Sequence, residues 1–223
     1  MPNPSVQFGA SQSFGSLSGW YEESSRVTVA SQRSRAMDNV GNEAFSKLFD
    51  ERTDVQTPYT AYAIAAPTVP ATLGGLVNSL MLTGIDLNTQ AGEPVKMSLE
   101  GHNHTDNAHT GTERTVAHGV TLSAGWGACD FLGSTSGANA TLQSSSIRIR
   151  CQHVDEIGAS GDHFIGQNVD AMLEVTQDWI GVPSAYQSGT DWDITSVETP
   201  TDAQGFKHTV VQATKKLTLT APA

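Results

Sequence analysis

From residue 58 onward, runs in which apolar and polar residues alternate recur along the chain. A period of two leaves little but half-buried β-strands open to such a sequence. The pattern is cleanest in Ile147-Arg148-Ile149-Arg150-Cys151 and in Val169, Ala171, Leu173 and Val175. Runs at 59–65, 80–87, 95–102, 115–122, 141–153, 165–179, 192–197 and 206–219 read as strands on the same grounds. Segment 155–162 (DEIGASGD) is a glycine-bearing turn that closes a hairpin between two of the longest runs. Many strands and few helical patterns predict a mainly β protein, an antiparallel β-sandwich or curled barrel.

Residues 1–57 read differently, and the division expected is 1–57 as an N-terminal arm plus a short helix, with 58–223 as the β domain. The first nineteen residues are largely Gly, Ser, Gln and Pro around isolated Phe8, Phe14 and Leu17. Such a composition does not fold alone and would be ordered by neighbouring subunits. The helix is expected at 38–52, with Asp38 as its N-cap and Phe45, Leu48 and Phe49 at helical spacing.

Charge narrows the function classes. The formal net charge is −11, and the densest cationic group (Arg26, Arg33, Arg35) is small. Binding to nucleic acid through a basic patch is excluded, because phosphate contacts need clustered Lys and Arg. A wall past which nucleic acid slides without sticking remains compatible with acidity. Charged residues are 16% of the chain, against roughly 25% in soluble domains, which suits surfaces covered by neighbours. Cys129 and Cys151 define no disulfide framework, and Cys151 shares the alternating face of Ile147 and Ile149. The N-terminus MPNPSVQFGASQ has neither a basic nor an apolar signal region, and no apolar run approaches ~18 residues. A soluble chain from a reducing compartment is expected.

Four of the seven histidines lie in EGHNHTDNAHTGTERTVAHGV, residues 100–120. His102 and His104 are two apart and project from one face of an extended strand. His109 and His118 follow, with Asp106 and Glu113 as carboxylates. Zn²⁺ or non-haem iron takes such a set. Against a metal stands the surrounding Asn, Thr and Gly, which offer nothing to hold ligands rigidly. The reading adopted makes His102, His104 and His109 contact residues on a loop, 101–114, long enough to reach an adjoining subunit. No metal, cofactor or catalytic residue is then expected. The acid pairs Asp155-Glu156 and Asp191-Trp192-Asp193 suggest a glycosidase pair only by proximity in sequence. Trp20, Trp126, Trp179 and Trp192 suggest a sugar-stacking platform, but single tryptophans in β domains more often serve the core. Neither G-x-S-x-G nor a phosphate-binding loop is present.

The low-complexity arm, the helix-bearing segment 38–52, the strands joined at 155–162 and the polar loop 101–114 together resemble the tail tube proteins of tailed bacteriophages. The stretch GHNHTDNAH followed by GWGACDFLG adds to the likeness, which runs from about residue 20 to the C-terminus. The resemblance implies a structural virion protein assembled in the host cytoplasm, with no enzymatic activity. Its subunits would form rings, usually hexameric, by joining sheets into an inner barrel, and the rings would stack into a DNA conduit. Asp170, Glu174 and Asp178, opposite Ala171, Leu173 and Val175, would face the lumen and repel phosphates. Two alternatives remain open: a capsid-decorating or carbohydrate-binding β-sandwich built around Trp126, and a metal-dependent cupin-type enzyme hinging on His102 and His104. The cupin pattern wants a Glu shortly after the paired histidines, whereas Glu113 stands nine residues beyond His104.

Overall fold

A computed structural model describes residues 12–41, 43–104, 113–133, 140–159, 163–183, 192–202 and 204–220, with the side chains of 31–35, 45–51 and 163 left aside. The strands are β1 (Trp20–Glu22), β2 (Arg26–Met37), β3 (Glu43–Ala61), β4 (Thr72–Leu73), β5 (Leu76–Val77), β6 (Leu80–Gln90), β7 (Lys96–His104), β8 (Val116–Ala117), β9 (Thr141–Ile157), β10 (His163–Ile180), β11 (Asp193–Glu198) and β12 (His208–Lys216). One antiparallel sheet runs β1-β3-β7-β6-β9-β10-β12-β11, with β2 on β3 and β5 on β6, while β4 and β8 pair separately. The mainly β expectation holds, and the sheet path does not close into a barrel.

Alternation sets the core. Ile147, Ile149 and Cys151 are buried while Arg148 and Arg150 point to the other face. Ala171, Leu173 and Val175 are buried, while Met172 and Glu174 are exposed. Full burial of side chains such as Ile149 and Leu173 stabilises by about 1.5–3 kcal/mol each. The inner face meets a cover of mostly irregular chain carrying Phe14, Trp20, Val69, Leu73, Leu122, Cys129 and Leu132, all in the same apolar cluster. Side-chain hydrogen bonds pin that cover. Trp20 Nε1–H donates to Thr68 O at 2.7 Å, Tyr59 O–H to Gly15 O at 2.8 Å, and Gln177 Nε2–H to Asp130 Oδ1 at 2.8 Å. Phe14 can lie over β7 because Gly101 carries no Cβ; one built there would come 2.8 Å from Phe14 Cζ.

The helix expected at 38–52 is not formed. Those residues belong to a hairpin in which β2 and β3 pair from Arg26↔Gln56 to Met37↔Glu43. Asp38 has the acceptor chemistry of an N-cap but uses it in the turn. Its Oδ1 accepts from Val40 N–H at 2.9 Å and its carbonyl from Gly41 N–H at 3.1 Å. An isolated helix of this length is marginal in water, whereas β2 supplies a continuous ladder of backbone partners. Asp/Asn side chains serve caps and turns alike, so the signal was ambiguous by its chemistry. The division expected at residue 57 falls inside β3.

Two irregularities shape the far end of the sheet. Between Leu82 and Gly84 the pairing of β6 with β7 shifts register, and the β6–β9 ladder begins only at Gly84↔Arg150. On β10 the pairing with β9 passes from Val169↔Gln152 to Met172↔Arg150, an extra residue marked by Asp170 at φ 47°. The bulge swaps the faces of β10. Asn168 is buried before it and Ala171 after it.

The Tyr59 hydroxyl ties the N-terminal segment to β3. Tyr59→Phe is therefore expected to cost about 1 kcal/mol and to speed proteolysis within residues 12–19. Unchanged cleavage there, measured at equal denaturant stability, would contradict the assignment.

Candidate functional site

The end of β9 extends past the β6–β9 ladder and packs against β7, bringing together side chains far apart in sequence. His102 and His104 come from β7, His153 and Asp155 from β9, and Asn168 from β10. His102 and His104 share the strand face of Glu100, which would be solvated, yet they are 0% and 2% exposed. The β9 end covers them. The His102 ring lies 4.7 Å from that of His153 and 5.5 Å from that of His104, centroid to centroid. Asp155 Oδ1 is 2.8 Å from His153 Nε2 and 3.4 Å from His104 Nε2. Its other oxygen faces Arg52 Nη1 at 3.6 Å. Burial works to raise the Asp155 pKa, but hydrogen bonds and charge from His104 and His153 outweigh it and hold the carboxyl well below the usual carboxylate range.

Asn168 orients the cluster from behind. Its Nδ2–H donates to Arg114 O at 2.6 Å, so its Oδ1 is turned to His153 Nδ1 at 2.8 Å. The Arg114 carbonyl can only accept, which settles the amide orientation. His153 therefore carries a proton on Nδ1 and presents Nε2 to Asp155. Gly166, paired with Asp155 across the ladder, makes room: a Cβ there would lie 2.3 Å from His153 Nε2 and 3.0 Å from Asp155 Oδ1. Cys151 donates from Sγ to Asn168 Oδ1 at 3.8 Å, and burial pushes its pKa up to about 11, against the opposing pull of Arg150. Burial thus favours its neutral thiol.

The expected loop of contact histidines is thus corrected for two of its members. His102 and His104 sit within β7 and are buried in their own chain, because the β9 end covers them; His109 and Asp106 lie outside the described residues. Glu113 is buried at 5% exposure. His118 stands apart from the cluster. Its Nε2–H donates to Pro70 O at 2.6 Å and its Nδ1 accepts from Val120 N–H at 3.1 Å, which requires the neutral ring. Burial lowers its pKa, against the opposing effect of the Pro70 carbonyl. Asp155 and Glu156 point to opposite faces of β9 and form no acid pair. Asp193 is exposed on β11, and Asp191 lies outside the described residues. Trp20 and Trp179 are buried, Trp192 packs partly buried on the core and Trp126 is 51% exposed, so no common platform exists among them. Sequence reasoning missed His153 and weighed Asp155 only beside Glu156. Their signal was a second i, i+2 pair, His153-Val154-Asp155, matching His102-Asn103-His104.

On the polar face of the sheet, Arg148 stands between Asp86 and Glu174 across β6, β9 and β10. Arg150 reaches Asp86 at 2.6 Å and Glu100 at 3.4 Å. His208 links Asp178 at 3.1 Å to Asp202 at 3.4 Å. Its hydrogen bond to Asp178 raises its pKa. Comparison with protein-family models and with curated protein sequences returns no match. Among the described residues, no helix is long and apolar enough to cross a membrane.

The neutral His118 makes stability depend on pH. A folded pKa below the unfolded value of about 6.5 means its contribution is complete above that value and is lost as pH falls below it, by at most about 1.4 kcal/mol per pH unit. Urea midpoints at pH 7.5 and 5.5 should show a larger acid-induced loss for the wild type than for His118→Gln. Equal losses would contradict the assignment.

Proposed function

We propose that this chain is a self-assembling structural subunit, and that it builds a stacked-ring tube of the tailed-bacteriophage kind as part of a virion. The observation that carries the reading is the β2–β3 hairpin. Pairing of β3 with β7 ends at Arg52↔His104, whereas the hairpin continues to Met37↔Glu43. Among the described strands its distal part therefore pairs with nothing but itself. A two-stranded ribbon in water is marginal at best, and this one carries Met37 at 59% and Val40 at 78% exposure near its tip. A ribbon of this kind calls for a neighbouring subunit.

Both margins of the sheet support the same reading. Among the described residues β2 pairs with β3 alone and β11 with β12 alone. Open edges expose a row of unpaired backbone groups that another chain can extend. Joining such edges around a ring would give a continuous wall and remove them. The β9–β10 hairpin adds exposed Ile157, Phe164 and Ile165 near its turn. Buried on assembly, such side chains supply the apolar centre of an interface. The polar sheet face carries Glu174 on its exposed side, but Arg148 and Arg150 neutralise part of its acidity. Repulsion of passing DNA then rests on the overall charge of −11 more than on one acidic strand. Ring order in this reading is six, and passage of DNA requires no specific contact.

Negative-stain microscopy and light scattering of concentrated protein test the proposal. Rings or tubes are expected for the wild type, and the double substitution Val29→Glu, Met37→Glu should abolish them without changing the circular dichroism spectrum. Val29 is 44% exposed on β2, so neither change touches the core. A wild type that stays a monodisperse monomer over a wide range of concentration and salt would overturn the reading.

A further inference from the structure

We propose that His102, His153 and Asp155, joined by His104, form a binding site for one borderline transition-metal dication, Zn²⁺ being the natural occupant, that fastens the end of the β9–β10 hairpin to β7. The inference is independent of the assembly reading. Three observations carry it. First, one ligand atom from each of His102, His153 and Asp155 lies within 4.8 Å of the others, which closure onto a central ion at about 2.1 Å would tighten by up to about 1.4 Å. The donors are held by strands on both sides and are nearly removed from solvent: the His104 and His153 side chains are 1% and 2% exposed and that of Asp155 14%.

Second, the Asn168 amide fixes which nitrogen of His153 is available. With Nδ1–H given to Asn168, Nε2 meets the Asp155 carboxylate at 2.8 Å. A protonated Nε2 meets the carboxylate there as an ion pair, and a bound cation would stand in that proton's place. A second ring proton satisfies one imidazole, whereas an ion is held by all of the converging rings at once. An imidazole held through its far N–H by a carbonyl oxygen is the usual support of a metal-bound histidine. Third, Gly166 leaves open the space where Nε2 and Oδ1 face each other, which any side chain would fill.

The donor set selects the ion. Imidazoles with one carboxylate suit zinc and its first-row neighbours, whereas Mg²⁺ and Ca²⁺ want oxygen ligands throughout. Enclosure by two strands makes the site structural, a staple between β7 and the part of β9 that lies beyond its ladder with β6. Arg52 binds the outer oxygen of Asp155 and leaves the inner one turned to the histidines.

The test uses the full chain, stripped with chelator and titrated with Zn²⁺ alone. Uptake of a single equivalent is expected, with the thermal midpoint rising with Zn²⁺ concentration. Co²⁺ in its place should give the visible absorption of a low-coordinate, nitrogen-liganded ion. His153→Gln and Gly166→Ala should each weaken Zn²⁺ binding by about 100-fold, while His118→Gln, outside the cluster, leaves it unchanged. No stoichiometric uptake by folded wild type overturns the proposal, as does uptake unaltered in both cluster variants. If either variant fails to fold, the wild-type Co²⁺ spectrum decides: a purely hexa-aqua-like spectrum overturns it.

Discussion

A single antiparallel sheet with one apolar face has to cover that face, and here the cover is chain with little regular structure of its own. Irregular segments bring backbone N–H and C=O groups to the edge of an apolar core, where each needs a partner. The molecule meets this demand with side chains aimed at backbone: Trp20 at Thr68, Tyr59 at Gly15, His118 at Pro70, Asn168 at Arg114. Each bond contributes only about 0.5–1.5 kcal/mol net. Together they decide where the cover lies and, through Asn168, how the histidine cluster is oriented. Stability of the sheet and geometry of the site thus share the same polar anchors.

The second constraint is the pair of register breaks. Without the extra residue at Asp170, strict alternation would place Gly166 and Asn168 on the same face as Met172 and Glu174, in solvent. With it they turn inward beside His153 and Asp155. The shift at Leu82/Gly84 and the late start of the β6–β9 ladder free the end of β9, whose side chains reach those of β7. Two local irregularities therefore assemble a buried polar cluster that a regular sheet would have dispersed. Burying imidazoles and a carboxylate together is costly unless their charges and lone pairs are matched, which is why the occupant of that space matters to the fold itself.

Projection of the β2–β3 hairpin beyond the sheet and the exposed apolar residues at both hairpin turns give the monomer an unfinished outline. The staple and the ribbon play complementary parts in the proposed subunit. One closes the sheet internally at the end of β9; the other extends outward from β3 towards a neighbour.

Much of the fold was legible in the chain, because a period of two is visible wherever one face of a strand is buried. The runs around Ile147–Cys151 and 171–175 are strands as read, and β9 and β10 pair antiparallel on either side of the segment read as a turn, although 155–157 of it prolong β9 and 160–162 lie outside the described residues. The segment 38–52 was misread because Phe45, Leu48 and Phe49 fit a helix as well as a strand, and Asp38 caps a turn with the same oxygen it would offer a helix. Of the site, His102 and His104 were visible as a two-apart pair, but their surroundings looked too polar to hold anything. Their rigidity comes from β9, whose His153 and Asp155 stand about fifty residues away in sequence. The sequence by itself determined strand identity and which faces are apolar, since those depend on neighbours one or two positions apart. Only the tertiary structure decided which strands meet and which polar side chains are buried, because a one-residue bulge reverses a face and a missing ladder lets distant strands touch.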